Sequence, residues 1–207
     1  MNAADVKISK RLSWLLRHGA GQAGLVMDQA GWSRVEDVLD ALDLTAEQVR
    51  RAVDNNDKGR LQLDGARIRA CQGHSTATMP VTHDALEATW ELIEPDTAVW
   101  HGTRLAAIPG IARHGISSGE RTHVHLAEHP DSRVGKRSAI DFLIKVSPQQ
   151  LRRHGINLYR SPNGVILARH VPADSIILVL PASPQGETTL EDTRQALITA
   201  IRHDPPT

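Results

Sequence analysis

The dipeptide Asp64-Gly65 separates two short runs of alternating polar and apolar residues, 60–63 and 66–69. Alternation with a period of two is typical of β-strands, and Asp-Gly between two such runs predicts a tight hairpin turn. The alternation would turn four apolar side chains towards a core, namely Leu61, Leu63, Ala66 and Ile68. Arg67 and Arg69 would then face outward. The sequence therefore predicts a hairpin with one apolar and one basic face.

Three helices are predicted before this hairpin. Residues 4–18 place apolar side chains at mostly helical spacing, and Gly19 can end that helix. Ser33 to Glu36 and Thr45 to Gln48 each match a capping box, which starts a helix by pairing its free backbone N–H groups. Three helices followed by a hairpin describe a winged helix, which we predict for residues 1–80. Winged helices bind nucleic acid or protein, so the fold alone does not decide the function.

The rest of the chain is predicted to be an acidic connection and a second domain. Residues 81–97 contain five acidic and no basic residues, and we interpret them as a partly helical connecting segment. Residues 98–207 alternate short apolar runs with turn signals, which predicts an α+β domain with a mixed, mostly antiparallel sheet. Its predicted strands lie at 99–101, 123–127, 139–146, 157–160, 165–168 and 176–180, and its longer helices at 105–114 and 190–202.

Composition narrows the class of protein. An apolar fraction of 40% over 207 residues can fill a hydrophobic core, and the chain has no run of eighteen apolar residues. The first residues lack the basic and then apolar pattern of a secretory signal, so a cytoplasmic location is expected. Cys71 is the only cysteine, which excludes an internal disulfide and a cysteine-based zinc site and favours a packing role for the thiol.

The distribution of charge is more informative than its sum. The formal net charge of zero argues against an undiscriminating nucleic-acid binder. Residues 100–170, however, carry an excess of seven positive charges. That excess would suit an anionic ligand, such as a dinucleotide or a phosphate backbone, if the charges share a face. The alternative is an ordinary solvated surface.

Histidines recur in this basic segment. The run Trp100 to Thr103 contains His101, while His123 and His125 are two residues apart on a predicted strand and would point to the same face. That spacing allows two metal ligands, with a third from His101 or His129. It equally allows a pair of structural or substrate-contacting histidines. The residues alone leave both interpretations open.

The chemistry that the residue types favour is a reaction on a phosphate. No G-x-G-x-x-G follows a predicted strand, and neither a P-loop nor a serine nucleophile elbow is present. Arginine and histidine are abundant instead. A forked guanidinium binds phosphate oxygens in pairs, and a phosphate monoester needs no base to act as a nucleophile. Arg17 and His18 are candidates for this role, although the dipole at a helix C-terminus also favours cations there.

Short motifs in a fixed order resemble the NAD-dependent RNA (tRNA) 2'-phosphotransferase family. They span about residues 8–180 and are Ser9-Lys10, Leu12-Ser13, Leu15-Leu16-Arg17-His18, Gly24-Leu25 with Asp28, Gly31-Trp32, Ile68-Arg69-Ala70, Gln72-Gly73-His74-Ser75, His101-Gly102-Thr103, Arg121-x-His123-Val124-His125-Leu126 and Ser161-x-Asn163-Gly164-Val165. Each motif is weak alone, and their joint occurrence is specific.

The resemblance implies an enzyme with a winged-helix lobe that presents an RNA 2'-phosphate and an ADP-ribosyltransferase-like lobe that binds NAD, facing each other across a cleft. In such enzymes the 2'-phosphate attacks the anomeric carbon of the nicotinamide ribose and expels nicotinamide, leaving an ADP-ribosylated RNA 2'-phosphate. The ribose 2''-hydroxyl then attacks phosphorus and releases RNA with a 2'-hydroxyl and ADP-ribose 1'',2''-cyclic phosphate. The implied partner is RNA carrying a 2'-phosphate, such as tRNA in splicing, with no membrane and no obligate protein partner.

The same resemblance assigns site residues by motif. The phosphate clamp would consist of Arg17, His18, Arg69 and Arg121. The NAD-binding residues would be His101, Gly102, Thr103, His125 and Val165. No metal is implied. Val165 stands where protein-modifying ADP-ribosyltransferases often have a glutamate, and Ala127 replaces the family's usual serine.

Three other functions are open at this point. The first is an ADP-ribosyltransferase that modifies nucleic-acid terminal phosphates or protein without the second step, and a stable ADP-ribosylated product would identify it. The second is a binding module with a catalytically dead NAD-like domain, which would bind RNA and release no nicotinamide. The third, a metal-dependent phosphatase, would be inhibited by chelators and would not require NAD.

Overall fold

The computed structural model describes residues 3–135 and 139–203 of the chain. Its helices are α1 (Ala3–Trp14), α2 (Val35–Leu42), α3 (Ala46–Asp54), α4 (His83–Glu87), α5 (Ile108–His114), α6 (Pro148–Arg153), α7 (Pro184–Thr188) and α8 (Leu190–His203). Its strands are β1 (Ser33–Arg34), β2 (Leu61–Asp64), β3 (Arg67–Ala70), β4 (Glu91–Ile93), β5 (Val99–Thr103), β6 (Ile116–Ser117), β7 (Val124–Leu126), β8 (Phe142–Val146), β9 (Leu158–Arg160), β10 (Ile166–Ala168), β11 (His170–Val171) and β12 (Ile176–Pro181). The strand pairings whose register is described are antiparallel, which confirms the predicted mixture of helices with mostly antiparallel sheet. Over these residues no helix has both the length and the apolar character that crossing a membrane requires.

The chain forms two compact units, each with its own hydrophobic core. The first unit comprises Met1–Glu91 together with the short segments 120–122 and 161–163. The second unit comprises Leu92–Gly119, His123–Arg160 and Gly164–Thr207. The first unit therefore includes two pieces of sequence that lie far along the chain from its main body. The domain boundaries predicted at residues 80 and 98 stay predictions.

The first helix ends in an unusual turn. A π-helical turn, Leu15–Gly19, continues α1, so the helix predicted over residues 4–18 is confirmed. The apolar side chains that α1 and this turn bury in the core of the first unit include Leu12, Leu15 and Leu16. Gly19 lies against the ring of Trp14, and a Cβ at residue 19 would overlap that ring. This close approach explains why the turn ends in a glycine.

Of the two capping boxes, one is confirmed and the other is wrong. The Thr45 hydroxyl accepts a hydrogen bond from the backbone N–H of Gln48 at 3.2 Å, and the Gln48 side chain accepts one from the Thr45 N–H at 2.8 Å. Ser33 instead pairs with Ile68 between β1 and β3, and α2 starts after Arg34 with no side-chain cap. Because Ser33 is paired in a β-strand, it does not cap α2, and the helix begins one residue later than the motif predicts.

The predicted hairpin is confirmed as β2 and β3, with β1 as a third strand in the order β1-β3-β2. Leu63 pairs with Ile68, which places the turn at Gly65-Ala66 and leaves Ala66 exposed rather than in the core. Arg67 and Arg69 do share the other face, where both guanidinium groups stack on Trp32. Arg69 is nevertheless only 3% exposed, so its predicted outward position is wrong.

The second unit contains three groups of strands, in the orders β12-β8-β5, β4-β9-β10-β7 and β11-β6. The first two groups meet where β5 passes the end of β7. There the Trp100 N–H donates to the Ala127 carbonyl at 2.8 Å, and the Ala127 N–H donates to the Trp100 carbonyl at 2.7 Å. The apolar side chains buried beneath these strands include Phe142, Ile144, Leu126 and Ile166. The two histidine-bearing segments are therefore joined by their own backbones.

Most strands and helices predicted for residues 98–207 are confirmed, with shifted ends. The strand predicted at 139–146 begins only at Phe142, and the helix predicted at 105–114 opens with a 3-10 turn before α5. The connection predicted as partly helical contains α4 and also strand β4. Residues 136–138, which belong to the basic segment 100–170, and residues 204–207 lie outside the described residues.

Thr45→Ala should lower the free energy of unfolding by about 1 kcal/mol, because it removes a hydroxyl that caps α3. Ser33→Ala is the matched control and should change it by less than about 0.5 kcal/mol, because the buried Ser33 hydroxyl has no hydrogen-bond partner within the described part of the chain. Urea denaturation followed by circular dichroism measures both values. Equal destabilisation would contradict the assignment of the two caps.

Candidate active site

Arg17 is a half-buried cation, and two of its guanidinium nitrogens are fully buried. Its Nε and one Nη atom are buried without an acceptor among the described residues. Burial, and then the positive charges of Arg60 and Arg121, lower the pKa of Arg17 to about 10, against a smaller opposing effect of Cys71. The group is still charged at neutral pH. A buried, unpaired charge is costly, so this position is stabilised by binding an anion.

Ser75 connects the three residues Arg17, His18 and Arg121. The Ser75 N–H donates to the Arg17 carbonyl at 2.9 Å, and its hydroxyl lies 2.7 Å from Nδ1 of His18. Ser75 also forms an antiparallel bridge with Arg121. These contacts lie within the first unit, so the structure brings together three of the four residues predicted for the phosphate clamp.

His18 is held in a positive environment. Burial first, and then the charges of Arg17 and Arg121, lower the pKa of His18 below its ordinary value, while Glu120 acts in the opposite direction. The free imidazole is therefore mostly neutral at pH 7. A dianion bound beside these groups would reverse the effect of the arginines and favour the imidazolium.

Arg121 reaches this site because a short distant segment joins the first unit. Residues 120–122 run beside residues 74–76, where the N–H of Thr122 donates to the carbonyl of His74 at 3.1 Å. These are backbone contacts between segments about 45 residues apart in sequence. Arg121 thus depends on the fold for its position beside the turn of Arg17.

Arg60 is a further cation at this site that the sequence does not single out. Its charge acts on Arg17 more strongly than that of Arg121 does. Arg60 immediately precedes β2. Two residues earlier, the carbonyl of Lys58 accepts a hydrogen bond of 2.8 Å from the side-chain amide of Asn163. Position 60 looks like an ordinary polar residue at the start of a strand. The contact with the 161–163 segment, also part of the first unit, gives no signal in the local sequence.

Arg69 belongs to a different network. Its Nε donates to the Gln62 side chain at 2.9 Å, one Nη donates to the Thr89 hydroxyl at 2.7 Å, and the guanidinium carbon lies 4.4 Å from the centre of the Trp32 ring. Burial is the main cause of its lowered pKa. The structure does not place Arg69 among the charged neighbours of Arg17. Its predicted part in the phosphate clamp stays untested.

Burial raises the pKa of the Cys71 thiol, and the positive charges of Arg69 and Arg17 have a smaller, opposite effect. Cys71 therefore interacts electrostatically with both networks. Its thiol is buried and donates to the Gly59 carbonyl at 3.2 Å. Burial raises the pKa of the thiol to about 11, so it is neutral at pH 7. A neutral, buried thiol is a poor nucleophile and packs as a small apolar group.

The residues predicted to bind NAD lie in the second unit, on β5, on β7 and next to β10. His101, Gly102 and Thr103 form the end of β5, and His125 is the middle residue of β7. Nδ1 of His101 donates to the His125 carbonyl at 3.0 Å, since a carbonyl can only accept. In the neutral ring this fixes Nε2 of His101 as a hydrogen-bond acceptor.

Val165 and Ala127 are buried beside these residues. Val165 immediately precedes β10, whose Leu167 pairs with His125. His123 lies just outside β7 and is 1% exposed, whereas His125 lies within β7 and is half-buried, so their predicted position on one face of a strand stays a prediction. Within residues 3–135 and 139–203, no group of three or more His, Cys, Asp or Glu side chains could hold a metal ion.

Comparison with known proteins assigns the chain to a family. The model of the RNA 2'-phosphotransferase, Tpt1 / KptA family matches residues 3–170. A probable RNA 2'-phosphotransferase of Pseudomonas savastanoi pv. phaseolicola is 35% identical over 84% of this chain and 95% of its own length. Similar proteins with that name occur in Burkholderia lata, at 35% identity over 81% of this chain and 88% of theirs, and in Rhodopirellula baltica, at 35% over 81% and 92%. The chain therefore belongs to the RNA 2'-phosphotransferase family, as its motifs predict.

Binding of sulfate should raise the pKa of His18, because a dianion whose charge is constant over this pH range favours the imidazolium. Anion binding then takes up a proton, so sulfate affinity falls as pH rises through the raised pKa of the complex. NMR titration of the His18 ring with and without sulfate measures the shift. His154, paired with Asp174 in the second unit, serves as the internal reference. An unchanged His18 would contradict an anion site at this turn.

Proposed function

We propose that this protein removes an internal RNA 2'-phosphate by transferring it to NAD. The products would be RNA with a 2'-hydroxyl, nicotinamide and ADP-ribose 1'',2''-cyclic phosphate, formed through an ADP-ribosylated RNA 2'-phosphate. Family membership supports an RNA 2'-phosphate as the substrate. The dependence on NAD and the two steps are what the resemblance of the motifs to that family implies, and the residues described below are compatible with them.

The observation that carries this proposal is the guanidinium of Arg17, two of whose nitrogens are buried without an acceptor among the described residues. Arg60 and Arg121 lie within electrostatic range and both lower its pKa, so three like charges are held together. A dianionic phosphate monoester would reverse this repulsion and supply acceptors for the buried N–H groups. The same site would fit a neutral ligand poorly. The cluster thus favours a phosphate as the group that reacts.

In the first step the clamped 2'-phosphate oxygen would form a bond to the anomeric carbon of the nicotinamide ribose, while the bond to nicotinamide breaks. Arg17 and Arg121 would hold the other phosphate oxygens and fix the direction of attack. No general base is needed, because the attacking oxygen is already anionic. Because no base is needed, this step is compatible with a buried valine, rather than a carboxylate, at position 165.

In the second step the ribose 2''-hydroxyl would attack phosphorus and the bond to the RNA 2'-oxygen would break. The leaving oxygen needs a proton, and the attacking hydroxyl loses one. His18 is placed to handle such a transfer, since its ring lies at the clamp and contacts Ser75. The arginines would stabilise the charge that builds up on the phosphoryl oxygens.

The second unit supplies the residues that we assign to NAD, which is consumed as a co-substrate. The acceptor Nε2 of His101, the hydroxyl of Thr103 and the side chain of His125 can hydrogen-bond a ribose or an amide. Gly102, buried and without a side chain, allows a flat ring to approach the backbone. We therefore assign an ADP-ribosyltransferase-like fold to this unit, and a winged helix to the first.

Incubation with NAD and a 2'-phosphorylated oligoribonucleotide tests the function. The wild-type protein should release nicotinamide, RNA with a 2'-hydroxyl and the cyclic phosphate in equal amounts, each quantified separately. Arg121→Ala should slow release of the cyclic phosphate more than release of nicotinamide, because charge on phosphorus builds up in the second step. A stable ADP-ribosylated RNA from the wild type would instead identify a transferase that stops after the first step. Turnover without NAD would refute the proposal.

Arg60→Ala should reduce kcat/KM for the same RNA by about 100-fold with little change in stability, because it removes a charge from the phosphate site. Arg69→Ala is the contrasting variant. It should lower the free energy of unfolding by about 2 kcal/mol, because the Gln62 and Thr89 side chains lose their buried partner. Steady-state kinetics and thermal unfolding of both variants decide the roles. Loss of activity in a fully stable Arg69→Ala would return that arginine to the clamp.

A further inference from the structure

The solvent-facing side of α1 is positively charged and carries an exposed tryptophan. Its exposed residues include Lys7, Lys10 and Arg11, with Trp14 at 49% exposure. Asp5 is the single acidic residue in α1, and it faces the core at 2% exposure, where it binds Arg51. The exposed side of the helix therefore has one sign of charge.

These side chains form one stripe that leads to the candidate active site. Lys7, Lys10 and Trp14 are spaced three and four residues apart, which places them on one face of a helix. His18 follows Trp14 by four residues, in the π-helical turn that continues α1. With a rise of about 1.5 Å per residue, Lys10 lies about 12 Å from His18 along the axis. This is a span of several nucleotides rather than one.

The two lysines and the tryptophan of the stripe are available for a partner, whereas the exposed Arg11 beside them already donates one hydrogen bond to the Leu42 carbonyl at 2.6 Å. Across the described part of the chain, Lys7 and Lys10 form no ion pair. The Trp14 ring packs on the backbone at Gly19 and remains half exposed, so a large flat surface is held in place beside the turn of Arg17 and His18. Fixing an aromatic ring in this way lowers the entropy lost when a ligand stacks on it.

We infer that this α1 stripe, Lys7, Lys10, Trp14 and the adjacent Arg11, binds the single-stranded RNA that flanks the 2'-phosphate. The inference rests on the proposed function, since the 2'-phosphate at Arg17 and His18 fixes the start of the bound strand. Lysines contact the phosphate backbone, and Trp14 stacks on an unpaired base, which is how proteins bind single strands without reading their sequence. A base inside a duplex has no free face for such stacking, so the flank is unpaired.

Binding of two RNAs in the absence of NAD tests the inference. One is a 2'-phosphorylated dinucleotide, and the other carries the same 2'-phosphate with several unpaired nucleotides on each side. Trp14→Ala should weaken binding of the longer RNA by about tenfold and should reduce the preference for it over the dinucleotide. Lys7→Ala with Lys10→Ala should lower the slope of log affinity against log salt by about 1.4, because each phosphate contact contributes about 0.7.

The controls separate the RNA-binding stripe from folding and from catalysis. Arg113→Ala removes an exposed arginine on α5 and should leave both binding curves unchanged. Trp14→Phe keeps a stacking ring and should restore most of the affinity. The lysine variants alter exposed side chains only. They therefore test RNA binding by the stripe even if circular dichroism shows that Trp14→Ala is unfolded. Unchanged salt dependence, or equal losses for the dinucleotide, would overturn the inference, whereas absence of products from the wild type with NAD would refute the proposed function.

Discussion

The candidate phosphate site depends on the contacts of one serine. Ser75 bonds the backbone of Arg17, lies 2.7 Å from the ring of His18 and pairs with Arg121. Two of these contacts use the main chain, so they fix the segments that carry the charges as well as the side chains themselves. Two further backbone hydrogen bonds hold the 120–122 segment in the first unit: the Thr122 N–H donates to the His74 carbonyl at 3.1 Å, and the Thr76 N–H donates to the Glu120 carbonyl at 3.0 Å.

In the free protein the resulting cluster holds three positive charges close enough to repel one another. Two nitrogens of Arg17 are buried and have no acceptor in the part of the chain that the structure describes, and its neighbours Arg60 and Arg121 are also positive. Such an arrangement destabilises the empty site and makes binding of a dianion correspondingly favourable. The exposed stripe on α1 has the same sign, so the positive potential that would attract a phosphate extends along the helix that ends at the candidate site. Affinity and orientation would then arise from the same helix and its turn.

The sequence alone predicts most of the secondary structure, because the signals for it are local. The hairpin around Gly65, the cap at Thr45 and the helix that ends at Gly19 each depend on a few neighbouring residues. Errors occur where a distant segment competes for the same backbone. Ser33 matches a capping box and is instead paired with Ile68, and Arg69, predicted to face outward, is buried with its guanidinium stacked on the Trp32 ring.

The sequence by itself determined the family, because the ordered motifs that contain Arg17, His18 and Arg121 are sufficient to place the chain in it. Only the tertiary structure decided which arginine side chains lie close to one another at the candidate site. Arg60 joins Arg17 through a loop held by Asn163, and Arg69 is drawn into hydrogen bonds with Gln62 and Thr89. Residue spacing encodes local geometry, whereas these partnerships depend on backbone hydrogen bonds and packing between segments that are far apart in the chain.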